Sequence, residues 1–96
     1  MPMFVVLGKW TAKRMETIKD LPEGIKQGPK VFESYGVKIQ VMLFTMGRYD
    51  LVAVGEAPDA ESMTRALLRW GSVGLLRTET LRGYPAEKMI ELIQGI

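Results

Sequence analysis

The chain contains no cysteine and no histidine. The first absence excludes disulfides, thiolate nucleophiles and zinc–cysteine sites. The second excludes the usual general base near neutral pH, the Ser-His-Asp triad and the commonest haem and metal ligand. Any acid–base chemistry falls to Asp, Glu, Lys or Tyr with a shifted pKa. No apolar run approaches the ~20 residues of a membrane span, and no charged segment leads into an apolar one at the N-terminus. Neither charge sign forms a long run: 13 Lys and Arg stand against 11 Asp and Glu, a net charge of +2. The densest basic cluster, Lys9, Lys13 and Arg14, reads as a solvated helix start rather than a phosphate or nucleic-acid surface. The acidic residues show no metal-ligand spacing, and no glycine-rich loop joins a strand to a helix as a phosphate site requires. The expectation is a cytoplasmic protein with no cofactor, metal, nucleic-acid partner or membrane partner.

What is present fits one domain spanning residues 1–96. Apolar residues make up 47% of the chain, enough to offset chain entropy. A chain of this length buries roughly 60–65% of its unfolded surface, so its core is thin. The seven methionines are most simply core and interface filling.

Met3–Trp10 is a short apolar run rich in branched and aromatic residues, a strand whose two faces both need covering. Thr11 is placed to cap the helix that follows. Met15, Ile18, Leu21 and Ile25 recur at helical spacing, with a break expected at Asp20–Pro22 and Asp20 capping the restart. Gly24 and Gly28–Pro29 weaken the second segment. The apolar stripe resumes at Phe32 and Tyr35, and Gly36 ends it. Val37–Met46 and Leu51–Ala57 are strands joined by the "GRYD" turn. Asp59 caps a helix whose stripe is Met63, Ala66, Leu67 and Trp70. Val73–Tyr84 reads as a fourth strand. A last amphipathic helix follows Pro85, with Met89, Ile90 and Ile93 facing inward.

Strand, helix, strand, strand, helix, strand, helix is an α+β order. Two strand-helix-strand units in series predict a ferredoxin-like antiparallel sheet of order 4-1-3-2, with helices on one face. The other face would then expose apolar residues, and exposed apolar patches mark interfaces. A homodimer packed sheet to sheet is expected.

Four segments carry a family likeness: "LGKWT" (Leu7–Thr11), "IKDLPE" (Ile18–Glu23), "GRYDLVAVGEAPD" (Gly47–Asp59) and "VGLLRTETLRGYPAEKM" (Val73–Met89). In this order they resemble the GYD domain family, named for the Gly-x-Tyr-Asp element that here comprises Gly47, Tyr49 and Asp50. The resemblance implies a ferredoxin-like domain of the dimeric α/β-barrel type, and no settled activity. The chain departs from the family pattern at Gly24 and Gly28–Pro29, where relatives carry a continuous charged helix.

The topology brings the end of the first strand beside the starts of the third and fourth. That gathers Lys9, Trp10, Tyr49, Asp50 and Arg77 at one end of the sheet as candidate ligand-binding residues. Asp50 and Tyr49 are the candidate catalytic residues: Asp50 as acid or base, against the plainer role of bonding turn backbone. Tyr49 can offer its hydroxyl to a ligand or simply pack its ring. Trp10 can wall an aromatic pocket or belong to the core. Arg77 and Glu79 also suit an edge strand that resists unwanted pairing. Three functions are open: a homo-oligomer binding a small apolar or aromatic molecule, a cofactor-free enzyme such as a proton-transfer isomerase or monooxygenase-like barrel, or an assembly or regulatory module without a ligand.

Overall fold

The computed structural model describes residues 1–96. β1 spans Met3–Trp10, α1 Ala12–Glu16, α2 Leu21–Ser34, β2 Lys38–Phe44, β3 Leu51–Glu56, α3 Ala60–Gly71, β4 Leu76–Gly83 and α4 Ala86–Gln94. A single 3-10 turn, Ile18–Asp20, lies between α1 and α2. The four strands form one sheet in the order β2-β3-β1-β4, the expected order, and every pairing is antiparallel.

Local chemistry sets the element ends. The Thr11 hydroxyl accepts from the Arg14 N–H and caps α1. Asp59 does the same for α3 through the Ser62 N–H at 2.7 Å. That bond holds the Asp59 carboxyl below its ordinary pKa. Gly36 follows α2 at φ +82°, a conformation that side chains with a Cβ rarely adopt. α2 runs unbroken through Pro29. Asp20 occupies the cap position of α2, but its side chain accepts no capping bond. This corrects the expected role: Asp20 is already helical at φ −87° and ψ −4°, whereas a capping side chain works from extended backbone.

The register assigns each strand residue to a face. Phe4, Val6, Gly8 and Trp10 lie in rows with Gly55, Ala53, Leu51 and Leu76, on the side that α2 and α3 cover. The core sits there: Phe4, Phe32, Val37, Ala57, Met63 and Ala66, with Leu67 and Trp70 packed against them. Val5, Leu7, Val52 and Val54 point to the other side, where no helix lies. A β-bulge at Gln40 resets the alternation of β2, so Ile39, Met42 and Phe44 share the helix side while Val41 and Leu43 turn away.

Two further expectations are overturned. The stripe beginning at Met15 and Ile18 does not face the core, since both side chains are exposed. The chain bends at Thr17 (φ −119°, ψ 32°) and tightens into the 3-10 turn, so helical spacing is not continuous from α1 into α2. It is Arg14, expected on a solvated helix start, that turns inward. The second concerns α4: Met89, Ile90 and Ile93 do not face inward, and no residue of α4 is buried. The helix side of β4 offers Thr78, Thr80 and Arg82 rather than an apolar surface, and α2 and α3 already occupy the rest.

Candidate functional site

Asp50 ends the hairpin loop and begins the β1–β3 ladder. Its N–H donates to the Gly8 carbonyl at 2.8 Å, and its carbonyl accepts from the Thr45 N–H at 2.9 Å. Its carboxylate accepts from the Trp10 N–H at 2.9 Å, which extends the ladder one bond past Gly8 and Leu51. The loop is closed again by the Thr45 hydroxyl on the Tyr49 carbonyl at 2.6 Å. Gly47 takes φ +98° at the turn. All three polar groups of Asp50 therefore have backbone partners.

Tyr49 reaches across the sheet end to β4. Its hydroxyl donates to Glu79 Oε2 at 2.6 Å. That hydrogen bond, and the negative charge beside it, raise the phenol above its ordinary pKa. Glu79 pairs with Leu7, and Arg77 with Lys9, so all four belong to the bare side of the sheet. The five residues singled out from the sequence thus meet at one end but divide between two faces. Lys9, Arg77 and the Tyr49 hydroxyl lie on the bare side. The Trp10 ring lies on the helix side, and Asp50 is tied to backbone between them.

On the helix side an apolar cleft opens between the sheet and α2. Of the five, only Trp10 borders it. The Trp10 ring stacks on Phe44, with centroids 5.9 Å apart and planes at 21°. Phe32 and Trp70, 6.4 Å apart, form a second aromatic pair in the wall. Gly24 and Gly28, one helical turn apart, form the part of α2 that overlies it. A Cβ at Gly24 would lie 3.1 Å from a terminal nitrogen of Arg14, and one at Gly28 would lie 3.5 Å from the Trp70 ring. Gly24, which looked like a helix defect, makes room for the Arg14 guanidinium, whereas the contact at Gly28 is of ordinary length.

Arg14 is the one charged residue in the wall, and only 5% of its surface is exposed. The sole hydrogen bond of its side chain runs from a terminal nitrogen to the Thr17 carbonyl at 3.4 Å. Its Nε is buried and has no partner, and no carboxylate pairs with it. Sequence reasoning missed Arg14, Phe44 and Thr78 as cleft residues. The signal that could have found the cleft is the Gly24–Gly28 spacing on the Leu21–Ile25 face of a helix. The arrangement holds no three metal-ligating side chains together, and no helix is long and apolar enough to cross a membrane.

Comparison with known proteins agrees with the segment pattern. A Thermus thermophilus protein described as "Glutamine synthetase and cystathionine beta-lyase binding protein" is 37% identical over 91 residues, covering 94% of this chain and 96% of the relative. The crystal structure of TTHA0845, also from Thermus thermophilus, superposes with a TM-score of 0.55 over 90% of this chain and 96% of that one. At 22% identity it shows a shared fold. The profile of the GYD domain matches residues 4–93, and the chain belongs to the GYD domain family.

Proposed function

We propose that the protein is a homo-oligomeric binding domain. Two ferredoxin-like subunits pack their bare sheet faces together in the dimeric α/β-barrel manner. The cleft on the helix side stays free for a small apolar or aromatic molecule. The observation that carries the reading is the uncovered sheet. Val5, Leu7, Val52, Val54, Val41, Leu43 and Leu81 crowd one face with no helix above them, and Leu43 is 57% exposed. The accessible surface is 6548 Å². A compact monomer of 10.8 kDa exposes about 5,500 Å². The difference of about 1,000 Å² is comparable with what one partner contributes to a standard interface. The radius of gyration, 14.5 Å, likewise exceeds the ~12.5 Å of a compact chain this long. A twofold interface asks one surface to match itself, and the apolar centre of this face can do so, with Lys9, Arg77 and Glu79 at its end. The stripe of Met89, Ile90 and Ile93 on α4 is likewise exposed and open to cover by a second subunit. We place this assembly in the cytoplasm, a compartment that the lack of cysteine permits.

Sedimentation equilibrium at micromolar concentration tests the reading. A dimer is expected, and Val54→Asp at the centre of the face should give a folded monomer. A wild-type monomer overturns it.

The thermophile relative favours a second reading, in which the domain docks on metabolic enzymes. That relative is described as binding glutamine synthetase and cystathionine beta-lyase. Co-sedimentation of this chain with those two purified enzymes tests the transfer. The cofactor-free enzyme has less support, because the backbone partners of Asp50 occupy its best acid–base candidate.

A further inference from the structure

The helix-side cleft has one feature that an apolar ligand does not explain. Its wall is built from Trp10, Phe44, Phe32, Trp70 and neighbouring aliphatic residues, yet a guanidinium is enclosed in it. Arginine stays charged at all accessible pH values and carries five N–H donors. Arg14 uses one of them, on a neutral carbonyl at the long distance of 3.4 Å. Its Nε is buried without a partner, and the protein's single ion pair, Lys88–Glu91, is on α4. A buried charge without a counter-charge is costly, and an apolar side chain of similar volume is commonly tolerated at least as well. The chain nevertheless shapes itself around this one. Thr11 caps the turn that carries it, and Gly24 omits the Cβ that would press against the guanidinium at 3.1 Å.

We propose that the cleft binds a small carboxylic acid with an apolar or aromatic body, and that Arg14 holds its carboxylate. A guanidinium presents paired donors that match the two oxygens of a carboxylate. The bond strengthens in a water-poor site. The apolar body lies along the wall, which includes the Trp10–Phe44 stack and the ring of Trp70 over Gly28. Thr78, also in the wall, carries a neutral polar group that a ligand can use. The acid neutralises Arg14, so the ligand completes a site that is electrostatically unbalanced without it. The inference rests on the reading of the cleft as a ligand site and names the class of ligand.

The test is calorimetric titration of the full chain with phenylacetate and octanoate, each compared with its neutral amide. Both acids should bind, and the amides should bind roughly 10- to 100-fold more weakly, the usual worth of a hydrogen bond to a charged group. Arg14→Leu should bind the acids no better than the amides, and in the absence of ligand it should unfold at the wild-type temperature or above. Arg14→Gln, which keeps polarity and loses charge, should lose the same preference. Equal binding of acid and amide by the wild-type chain overturns the role of Arg14 and leaves the cleft a ligand site. Silence from both acids and both amides overturns the role of Arg14 and the ligand-site reading together. A large fall in the melting temperature of Arg14→Leu with the acid preference retained would make Arg14 a structural residue. The comparison on the wild-type chain stands even if a variant does not fold.

Discussion

The Asp50 carboxylate accepts the Trp10 N–H at 2.9 Å, so an acidic side chain does the work of a ladder carbonyl where β3 has not yet begun. Asp50→Ala should leave that N–H without its partner and destabilise the fold by about 1–3 kcal/mol. Asp50→Asn keeps an oxygen acceptor and should lose less. Urea denaturation of the two variants at neutral pH checks the order. Equal stability of Asp50→Ala and wild type would remove the structural role.

The Tyr49 phenol is raised by its bond to Glu79, and the sign of the pH effect follows. The protonated phenol is favoured in the folded state. The contribution is therefore fully present below the unfolded tyrosine value of about 10 and is lost as pH rises through the higher folded value. Spectrophotometric titration should show one tyrosine ionising late. Tyr49→Phe should remove that late step, together with the small stabilisation its bond to Glu79 gives at neutral pH. Persistence of the late step in Tyr49→Phe would sink the assignment to Tyr49.

Asp59 acts at the other end of the scale. Its carboxyl is lowered first by the bond to Ser62. The stability it adds is present above the ordinary aspartate value of about 3.9 and disappears as pH falls through the lower folded value. Asp59→Asn should flatten the acid limb of the melting-temperature profile below about pH 4. A limb of unchanged slope would show that other carboxylates govern it.

Gly24 and Gly28 should respond differently to the same substitution. A Cβ at Gly28 meets Trp70 at an ordinary 3.5 Å, so Gly28→Ala gains the helix preference of about 0.5–1 kcal/mol. A Cβ at Gly24 lies only 3.1 Å from the enclosed guanidinium, so Gly24→Ala must displace Arg14 and gains less or loses. Thermal melts of the two single variants give the comparison. Equal gains would mean that the Arg14 side chain moves freely.

Thr11 makes two bonds: it caps α1 through the Arg14 N–H, and its hydroxyl donates to the Gly74 carbonyl at 2.7 Å. Thr11→Ala should cost about 1–2 kcal/mol. Hydrogen exchange should quicken in α1 and at the start of β4, and a change confined to α1 would rule out the second bond.

The strand order was legible because punctuation residues delimit each element. Gly36 and Pro58 stop their elements where the patterns end, and Thr11 and Asp59 cap where capping residues are expected. The meeting of Trp10 with Asp50, and of Lys9 with Arg77, followed from order alone. Which face each side chain takes did not, since that depends on single-residue register. Arg14 was illegible for a different reason. Helical spacing assumes one axis, and the bend at Thr17 gives α1 an axis of its own, which sends Met15 outward and Arg14 inward. In α4 the pattern was clear, but amphipathicity says that a stripe seeks a cover and not where the cover lies.

The bulge in β2 has a consequence beyond geometry. Remove Gln40 and the strand reads Lys38, Ile39, Val41, Met42, Leu43, Phe44 in regular alternation, with every side chain kept on its present face. The fold does not need the extra residue to sort its side chains. What Gln40 supplies is a kink in an outermost strand, and a kinked rim is a poor template for another chain's backbone. A version lacking Gln40 is expected to keep its faces and to aggregate more readily than the wild type, which light scattering of the two chains at equal concentration would show.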